Sequence, residues 1–238
     1  RPARATLTDD QRSALDAIRQ DLASGRPMMR LVQGDVGAGK TAVAVAALGM
    51  AFSQGKQSAL MAPTSILAAQ HYRGLTRLPE NTPGDRKPTL ALLTGSISAK
   101  DREQTLAGWA DGSIDIVIGT HAVIQDTVQF RELAVVVIDE QHRFGVKQRQ
   151  ALQARQNEGL VPHLLSLSAT PIPRSMMLTV YGELDVSLIQ QMPAGRKEVE
   201  TEIVAPTARA RLYTKIDKQI DAGSQVFVVC PLIESEDD

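Results

Sequence analysis

Short apolar runs alternate with longer helical segments along most of this chain, and one run constrains the fold most. Every residue of Val135–Ile138 is apolar. A strand without polar alternation is typical of a parallel sheet that is covered on both faces. Strands that alternate with helices indicate the same architecture. The sequence therefore predicts an α/β fold, with a mostly parallel sheet and helices on both faces.

The same patterns predict the other elements of this sheet. Strands are predicted at Met29–Gln33, Gln57–Ala62, Thr89–Leu93, Ile114–Ile118, Ala134–Ile138 and His163–Ser168. Helices are predicted at Ala42–Phe52, Ser65–Leu78, Ala99–Ala110 and Val146–Gln156. Between them, Leu78–Pro88 is rich in proline and is therefore predicted to be an exposed loop.

A second region begins after the proline–glycine segment Met192–Lys197, which we interpret as a domain linker. Beyond it, the patterns predict a strand at Glu198–Val204, a helix at Thr207–Ala222 and a strand at Gln225–Cys230. A lone βαβ unit cannot cover both faces of its own sheet. We therefore expect residues 1–192 to form one domain and residues 193–238 to hold a linker and the truncated start of a second. The acidic tail could alternatively be a natural end.

Composition excludes several classes of protein. The net charge is −1 and aromatic residues make up 3% of the chain, so neither bulk positive charge nor an aromatic stacking platform is available for nucleic acid. Any such binding must use a local patch. The longest apolar run, Ala42–Phe52, is too short to cross a bilayer, so no membrane partner is expected. The single cysteine, Cys230, excludes a disulfide framework and suits a reducing compartment.

A glycine-rich loop carries the clearest chemical signal. The consecutive residues Gly34, Asp35, Val36, Gly37, Ala38, Gly39, Lys40 and Thr41 fit the phosphate-loop pattern at every fixed position. An apolar strand precedes the loop and a helix follows it. Glycines let successive N–H groups surround an anion, and the helix N-terminus adds its dipole. We therefore predict a nucleotide site in which Lys40 contacts the phosphates and Thr41 contacts Mg²⁺, rather than a turn without a ligand.

Two carboxylates follow the all-apolar strand directly. Asp139 and Glu140 are thereby placed at the carboxyl end of a parallel strand, where ligands bind. Asp139 suits Mg²⁺ held through its water shell, and Glu140 can orient or deprotonate an attacking water. An acidic pair in a surface turn is the alternative, which the phosphate loop upstream disfavours.

These motifs together resemble a known superfamily. The run Asp139–His142 is similar to the D-E-x-H box of superfamily 2 helicases, whose other motifs resemble Ala62–Thr64, Gly119–His121 and Ser168–Thr170. Longer matches resemble the RecG family of branched-DNA translocases, namely Gly34–Gly37, Leu67–His71, Asp139–Val146, Ala169–Arg174 and Pro193–Arg196. The transcription-repair coupling factor shares this motor but typically has Glu where this chain has Gln141.

The RecG resemblance implies a RecA-like P-loop domain in residues 1–192 and the start of a second RecA-like domain. It implies an ATP- and Mg²⁺-dependent motor in the bacterial cytoplasm, associated with the nucleoid, that acts as a monomer on forks and Holliday junctions in repair and recombination. The family's N-terminal wedge domain and the arginine finger of its second motor domain have no counterpart in the sequence. Because such a finger is worth ~10³–10⁵ in rate, we expect the chain alone to bind Mg-ATP and to hydrolyse it poorly.

The resemblance also assigns roles to less certain residues. Residues that would line the DNA track are Pro63, Thr64, Gln70, Thr120 and His121, and those that would couple nucleotide state to DNA grip are Gln141, His142, Ser168 and Thr170. These track contacts would reach phosphate and sugar without reading sequence. Gln11 falls where the superfamily reads the adenine edge, but Thr8–Gln11 also fits a capping box.

Two other functions remain open from the sequence. One is a P-loop enzyme, such as a kinase, that acts on a small molecule and whose turnover would not depend on DNA. The other is a nucleotide-binding module without catalysis of its own. Motifs after the phosphate loop, such as Ser168–Thr170, favour the DNA motor because small-molecule kinases rarely need them.

Overall fold

The computed structural model describes residues 6–82, 84–125, 128–140, 161–170, 184–193 and 200–230. Contacts between residues divide the chain into two units, one that ends at Gly195 and one that begins at Arg196.

One seven-stranded sheet organises the first unit. Its strands are β1 (Met29–Gly34), β2 (Gln57–Met61), β3 (Leu90–Leu93), β4 (Ile116–Gly119), β5 (Leu133–Ile138), β6 (His163–Ser168) and β7 (Asp185–Ile189). Their order across the sheet is β3-β4-β2-β5-β6-β1-β7, and every neighbouring pair is parallel. The predicted parallel α/β sheet is confirmed.

Helices cover both faces of this sheet. They are α1 (Asp9–Ala23), α2 (Lys40–Ser53), α3 (Ser65–Leu75), α4 (Leu78–Asn81), α5 (Ala99–Asp111) and a 3-10 turn at His121–Ile124. Buried residues of α1, α2 and α3 pack against one face, and Trp109 of α5 packs against the other. None of the helices in the described ranges is both long and apolar enough to span a membrane. The predicted helix Val146–Gln156 lies outside those ranges.

A buried amide joins three segments of the first unit at the start of β2. The Gln57 side chain donates to the carbonyl oxygens of Trp109 and Ile114, at 2.8 and 2.9 Å. Its oxygen accepts from the backbone N–H groups of Arg131 and Glu132, at 2.8 and 2.9 Å. Two of these groups also pair with each other, since the Arg131 N–H donates to the Trp109 carbonyl at 3.3 Å. The Gln57 amide adds partners to all four, and unpaired polar groups inside a protein are costly. Gln57 therefore fixes where the segments before β4 and β5 enter the sheet.

The elements of the first unit depart from the sequence prediction in several places, and α1 is not among the predicted helices, although a capping box is indicated at its start. The predicted helix Ser65–Leu78 ends at Leu75. The segment Leu78–Pro88, predicted to be a loop, contains the short helix α4, because one proline is tolerated in a first helical turn. The strand β7 has no predicted counterpart. It lies at the edge of the sheet, beside β1, and four of its five residues are exposed or half-buried. Its sequence therefore shows little alternation of apolar and polar residues.

The second unit is described over residues 200–230. It contains a 3-10 turn at Pro206–Ala208 and the helix α6 (Arg209–Asp221). No strand occurs within residues 200–230, so the strands predicted at Glu198–Val204 and Gln225–Cys230 are wrong for the described residues. A strand needs a partner for its backbone hydrogen bonds, and an apolar pattern alone does not supply one.

Candidate nucleotide site

Five predicted motifs meet at one edge of the sheet. Each follows the carboxyl end of a strand: the phosphate loop follows β1, Pro63 follows β2, Thr120 follows β4, Asp139 follows β5 and Ala169 follows β6. Because all strands are parallel, their carboxyl ends lie along the same edge. That edge is where parallel α/β folds bind their ligands.

Two glycines give the phosphate loop a backbone conformation that residues with a Cβ atom rarely adopt. Gly37 and Gly39 have φ angles of 83° and 86°, in the left-handed region that favours glycine. A Cβ atom on Gly34 would lie 2.7 Å from the Ile189 carbonyl oxygen of β7. Within the loop, Ala38 is fully buried. The loop is thus held against the sheet at its base.

The N-terminus of α2 opens at the end of this loop. Gly39 is the N-cap residue, and no side chain caps the helix there. The first N–H groups of a helix have no intrahelical acceptor, and the helix dipole favours negative charge at this end. An uncapped N-terminus after a glycine-rich loop is therefore suited to bind phosphate.

Lys40 and Thr41 form the first turn of α2. The Lys40 ammonium donates to the carbonyl oxygens of Gly34 and Asp35, at 2.7 and 3.0 Å. Partial burial lowers the pKa of Lys40, while the carboxylates of Asp139, Glu140 and Asp35 act in the opposite direction. The Thr41 side chain is exposed. The cation and the hydroxyl thus lie next to the open helix end.

Asp139 and Glu140 form a turn directly after β5. The backbone N–H of Glu140 donates to Asp139 Oδ1, at 3.0 Å. Glu140 has a φ of 55° and is the only non-glycine residue with a positive φ within the described ranges. Left-handed backbone is unfavourable for a residue with a Cβ and is often found at functional sites. The turn therefore holds the Asp139 carboxylate and places Glu140 beside it at the sheet edge.

Both the oxygen and the nitrogen of the Gln11 side-chain amide form hydrogen bonds within the protein. Its oxygen accepts from the Thr8 N–H at 3.0 Å, and the Thr8 hydroxyl accepts from the Gln11 N–H at 3.3 Å, which completes the capping box. Its nitrogen donates to the Ala38 carbonyl at 2.7 Å. The side chain is 4% exposed. The structure thus contains the capping box and also ties α1 to the phosphate loop.

The five residues predicted to line the DNA track are placed differently from one another. Thr64 is exposed and caps α3, because its hydroxyl accepts from the Leu67 N–H at 3.3 Å. Gln70 on α3 and His121 after β4 are also exposed, and Pro63 is half-buried. Thr120 is 6% exposed, so little of its side chain reaches the surface.

The predicted coupling residues are described only in part. Ser168 is buried at the end of β6, and its hydroxyl lies 3.1 Å from the Thr170 carbonyl oxygen and 3.2 Å from the Thr170 hydroxyl. These contacts close the turn after β6. Gln141 and His142 lie outside the described residues.

One contact at this site involves a residue of the Leu67–His71 motif to which the sequence assigned no role in the site. The His71 Nε2 atom on α3 lies 2.7 Å from Asp139 Oδ2. A helix after β2 and a turn after β5 are brought together because β2 and β5 are neighbours in the sheet. The Leu67–His71 motif was the available signal, but it did not indicate a partner.

Comparison with protein families agrees with this geometry. The family model described as DEAD/DEAH box helicase matches residues 8–178. The chain belongs to the DEAD/DEAH box helicase family. Within this family, the ATP-dependent DNA helicase RecG of Bacillus subtilis is 48% identical over 231 residues, which cover 97% of this chain and 33% of that protein. RecG of Thermotoga maritima is also 48% identical, over 97% of this chain and 29% of its own length.

Solved structures give the same result for this helicase-family chain. A structure of RecG bound to a three-way DNA junction has a TM-score of 0.79 and 44% identity, and it covers 96% of this chain and 30% of that chain. The DUF1998 helicase MrfA has a TM-score of 0.65 at 17% identity, covers 97% of this chain and 36% of its own, and shows the fold alone. These matches confirm the RecA-like fold and the resemblance to RecG. The chain spans about a third of the length of the curated relatives it matches.

Proposed function

We propose that this chain is the motor core of an ATP-dependent DNA helicase or translocase that acts on branched DNA, such as stalled forks and Holliday junctions, in repair and recombination. The relatives are named as ATP-dependent DNA helicases, and one similar structure holds a three-way junction. The observation that carries the proposal is the pairing of an uncapped α2 N-terminus with two carboxylates at the same sheet edge.

The residues at that edge fit ATP with Mg²⁺. The open helix end and the left-handed glycines suit phosphates, and the oxygen atoms of Thr41 and Asp139 are of the kind that Mg²⁺ prefers. Lys40 would leave the loop carbonyls to contact phosphate oxygens. Glu140 would orient the attacking water and accept its proton. Bound Mg-ATP supplies the phosphoanhydride bond whose hydrolysis drives the motor.

Movement on DNA would require a second motor domain. We assign residues 1–192 to the first RecA-like domain and residues 193–238 to a linker and the start of the second. The change of unit between Gly195 and Arg196 supports this assignment. The second domain would close over ATP, supply an arginine finger, and reopen after hydrolysis. We propose that the whole protein works as a monomer at the bacterial nucleoid, where Thr64, Gln70 and His121 contact the DNA backbone.

The ATP site is tested with Glu140→Gln in a protein that contains both motor domains. The variant should lose turnover about 10²–10⁴-fold, because the carboxylate that accepts the proton is gone. Binding of Mg-ATP should be unchanged, as measured with a fluorescent ATP analogue. The matched control is Glu103→Gln, the same change on the exposed surface of α5, which should hydrolyse ATP at the normal rate. Loss of nucleotide binding in Glu140→Gln would refute the assigned role.

The test of the DNA partner is ATP turnover by the same protein with a three-way junction, with linear duplex of equal length and without DNA. The junction should stimulate turnover most strongly. Equal turnover in all three samples would favour a P-loop enzyme that acts on a small molecule.

A further inference from the structure

The contact between His71 and Asp139 is the strongest unexplained feature of the site. Its two atoms are 2.7 Å apart, and both side chains are mostly buried. The two residues are separated by 68 positions in the chain. A buried hydrogen bond between two such distant elements is worth more than an exposed one, because water competes less for its atoms.

The direction of this hydrogen bond follows from its acceptor. A carboxylate only accepts, so the His71 Nε2 atom must carry the hydrogen. Asp139 Oδ1 accepts separately from the Glu140 N–H. Each carboxylate oxygen thus has one protein donor, and each keeps a second lone pair. The two donors fix the carboxylate plane while leaving both oxygens able to accept from water bound to a metal.

A cavity of about 590 Å³ lies beside this contact, between α2 and α3. Thr41 and His71 both line it, together with Gln70 of α3. His71 therefore connects the two predicted Mg²⁺ ligands: it shares a cavity wall with Thr41 and bonds directly to Asp139.

We infer that His71 is a positioning residue that orients the Asp139 carboxylate for Mg²⁺. This inference rests on the proposed function, because it requires Asp139 to act on the metal. His71 touches neither the nucleotide nor the reacting atoms; it acts through Asp139. Residues that orient the ligands of a metal typically change its affinity 10–100-fold when they are removed.

The experiment measures how Mg²⁺ tightens the binding of a fluorescent ATP analogue to this chain. In His71→Ala, the Mg²⁺ concentration needed for half of the tightening should rise about tenfold or more. Affinity for the analogue in EDTA should not change, because the phosphate loop is intact. His71→Gln should recover part of the loss, since its amide nitrogen can donate from near the Nε2 position. Arg73→Gln, an exposed change on the same helix, should match the unchanged chain.

Each other outcome has a distinct meaning. An unchanged Mg²⁺ midpoint in folded His71→Ala would overturn the inference and leave the proposed function standing. An equal loss of affinity in EDTA and in Mg²⁺ would also overturn it, because His71 would then support the loop or the fold rather than the metal. If His71→Ala does not fold, His71→Gln and His71→Asn replace it. The Asn side chain is too short to reach Asp139, so normal Mg²⁺ midpoints in both variants would overturn the inference. If the unchanged chain binds no nucleotide, the proposed function itself fails.

Discussion

The two units of this chain carry similar sequence patterns but differ in what those patterns form. In the first unit, apolar runs such as Val135–Ile138 become buried strands that pair on both sides. In the second, the run predicted as a strand at Gln225–Cys230 is unpaired, and Phe227 and Val229 are 84% and 93% exposed. None of the described residues 200–230 is buried.

The difference shows that an apolar run forms a strand only where neighbouring strands can hydrogen-bond to its backbone. β5 lies between β2 and β6, and helices cover both faces of the sheet around it. The described part of the second unit has one helix, α6, and offers neither a paired strand nor a covering layer. Strand propensity largely measures this fit to paired and half-buried surroundings rather than a preference of the backbone.

Amide hydrogen exchange should show the largest contrast between the two units. The amides of Val136, Val137 and Ile138 should exchange about 10⁴-fold or more slowly than in an unfolded peptide, because opening β5 requires most of the stability of the domain. The amides of Phe227 and Val228 should exchange at nearly the unfolded rate. Exchange measured by mass spectrometry on peptides from both regions checks this. Slow exchange at Phe227 would show that the second unit is paired, and the comparison would fail.

Truncation of apolar side chains should give the next largest contrast. Leu165 in β6 is fully buried, so Leu165→Ala should lower the free energy of unfolding by about 2–5 kcal/mol. Ile220 in α6 is half-exposed, so Ile220→Ala should cost less than about 0.5 kcal/mol. Urea unfolding followed by both Trp109 fluorescence and circular dichroism would measure the two changes. Similar losses for the two variants would mean that α6 packs into a core of its own.

The fold of the first unit was largely predictable because its signals are local. His163–Ser168 was predicted with its observed bounds, and the other predicted strands of the sheet differ by no more than a few residues. Local patterns did not reveal β7, since Asp185–Ile189 has one buried residue and little alternation. They also did not give the strand order, which depends on pairings between distant segments.

The site was predictable for a similar reason and to a similar extent. The phosphate loop, Asp139 and Glu140 are sequence motifs that follow strands, and the structure puts them at one edge. Their roles stay predictions until tested. The contact of His71 with Asp139 was not predictable, because it exists only when β2 and β5 are neighbours. Long-range contacts of single side chains need the strand order, which the motifs do not contain.

A titratable group in the first unit gives the smallest expected contrast. The His163 Nδ1 atom accepts a hydrogen bond from the Met28 N–H, at 2.9 Å. Burial lowers the pKa of His163, although the Asp21 carboxylate acts in the opposite direction. Between its lowered pKa and the ordinary value near 6.5, the unfolded chain binds a proton that the folded chain does not. Stability is therefore full above about pH 6.5 and falls as the pH drops toward the lowered pKa. The described part of the second unit, residues 200–230, contains no histidine.

Replacing His163 with asparagine should separate this effect from acid sensitivity in general. The Asn side-chain oxygen can still accept from Met28, but it does not titrate, so His163→Asn should lose less stability between about pH 7.5 and about pH 5.5. The difference should stay well below the limit of about 1.4 kcal/mol per pH unit for one proton, because His163 is only half-buried and remains partly solvated. Urea midpoints from Trp109 fluorescence would measure it. The control is Gln20→Asn, an exposed change on α1 that neither adds nor removes a titratable group, so it should leave the pH dependence as it was. If His163→Asn and the unchanged chain lose stability equally, protonation of His163 is not what weakens the first unit in acid, and the contrast between the two units would then rest on packing alone.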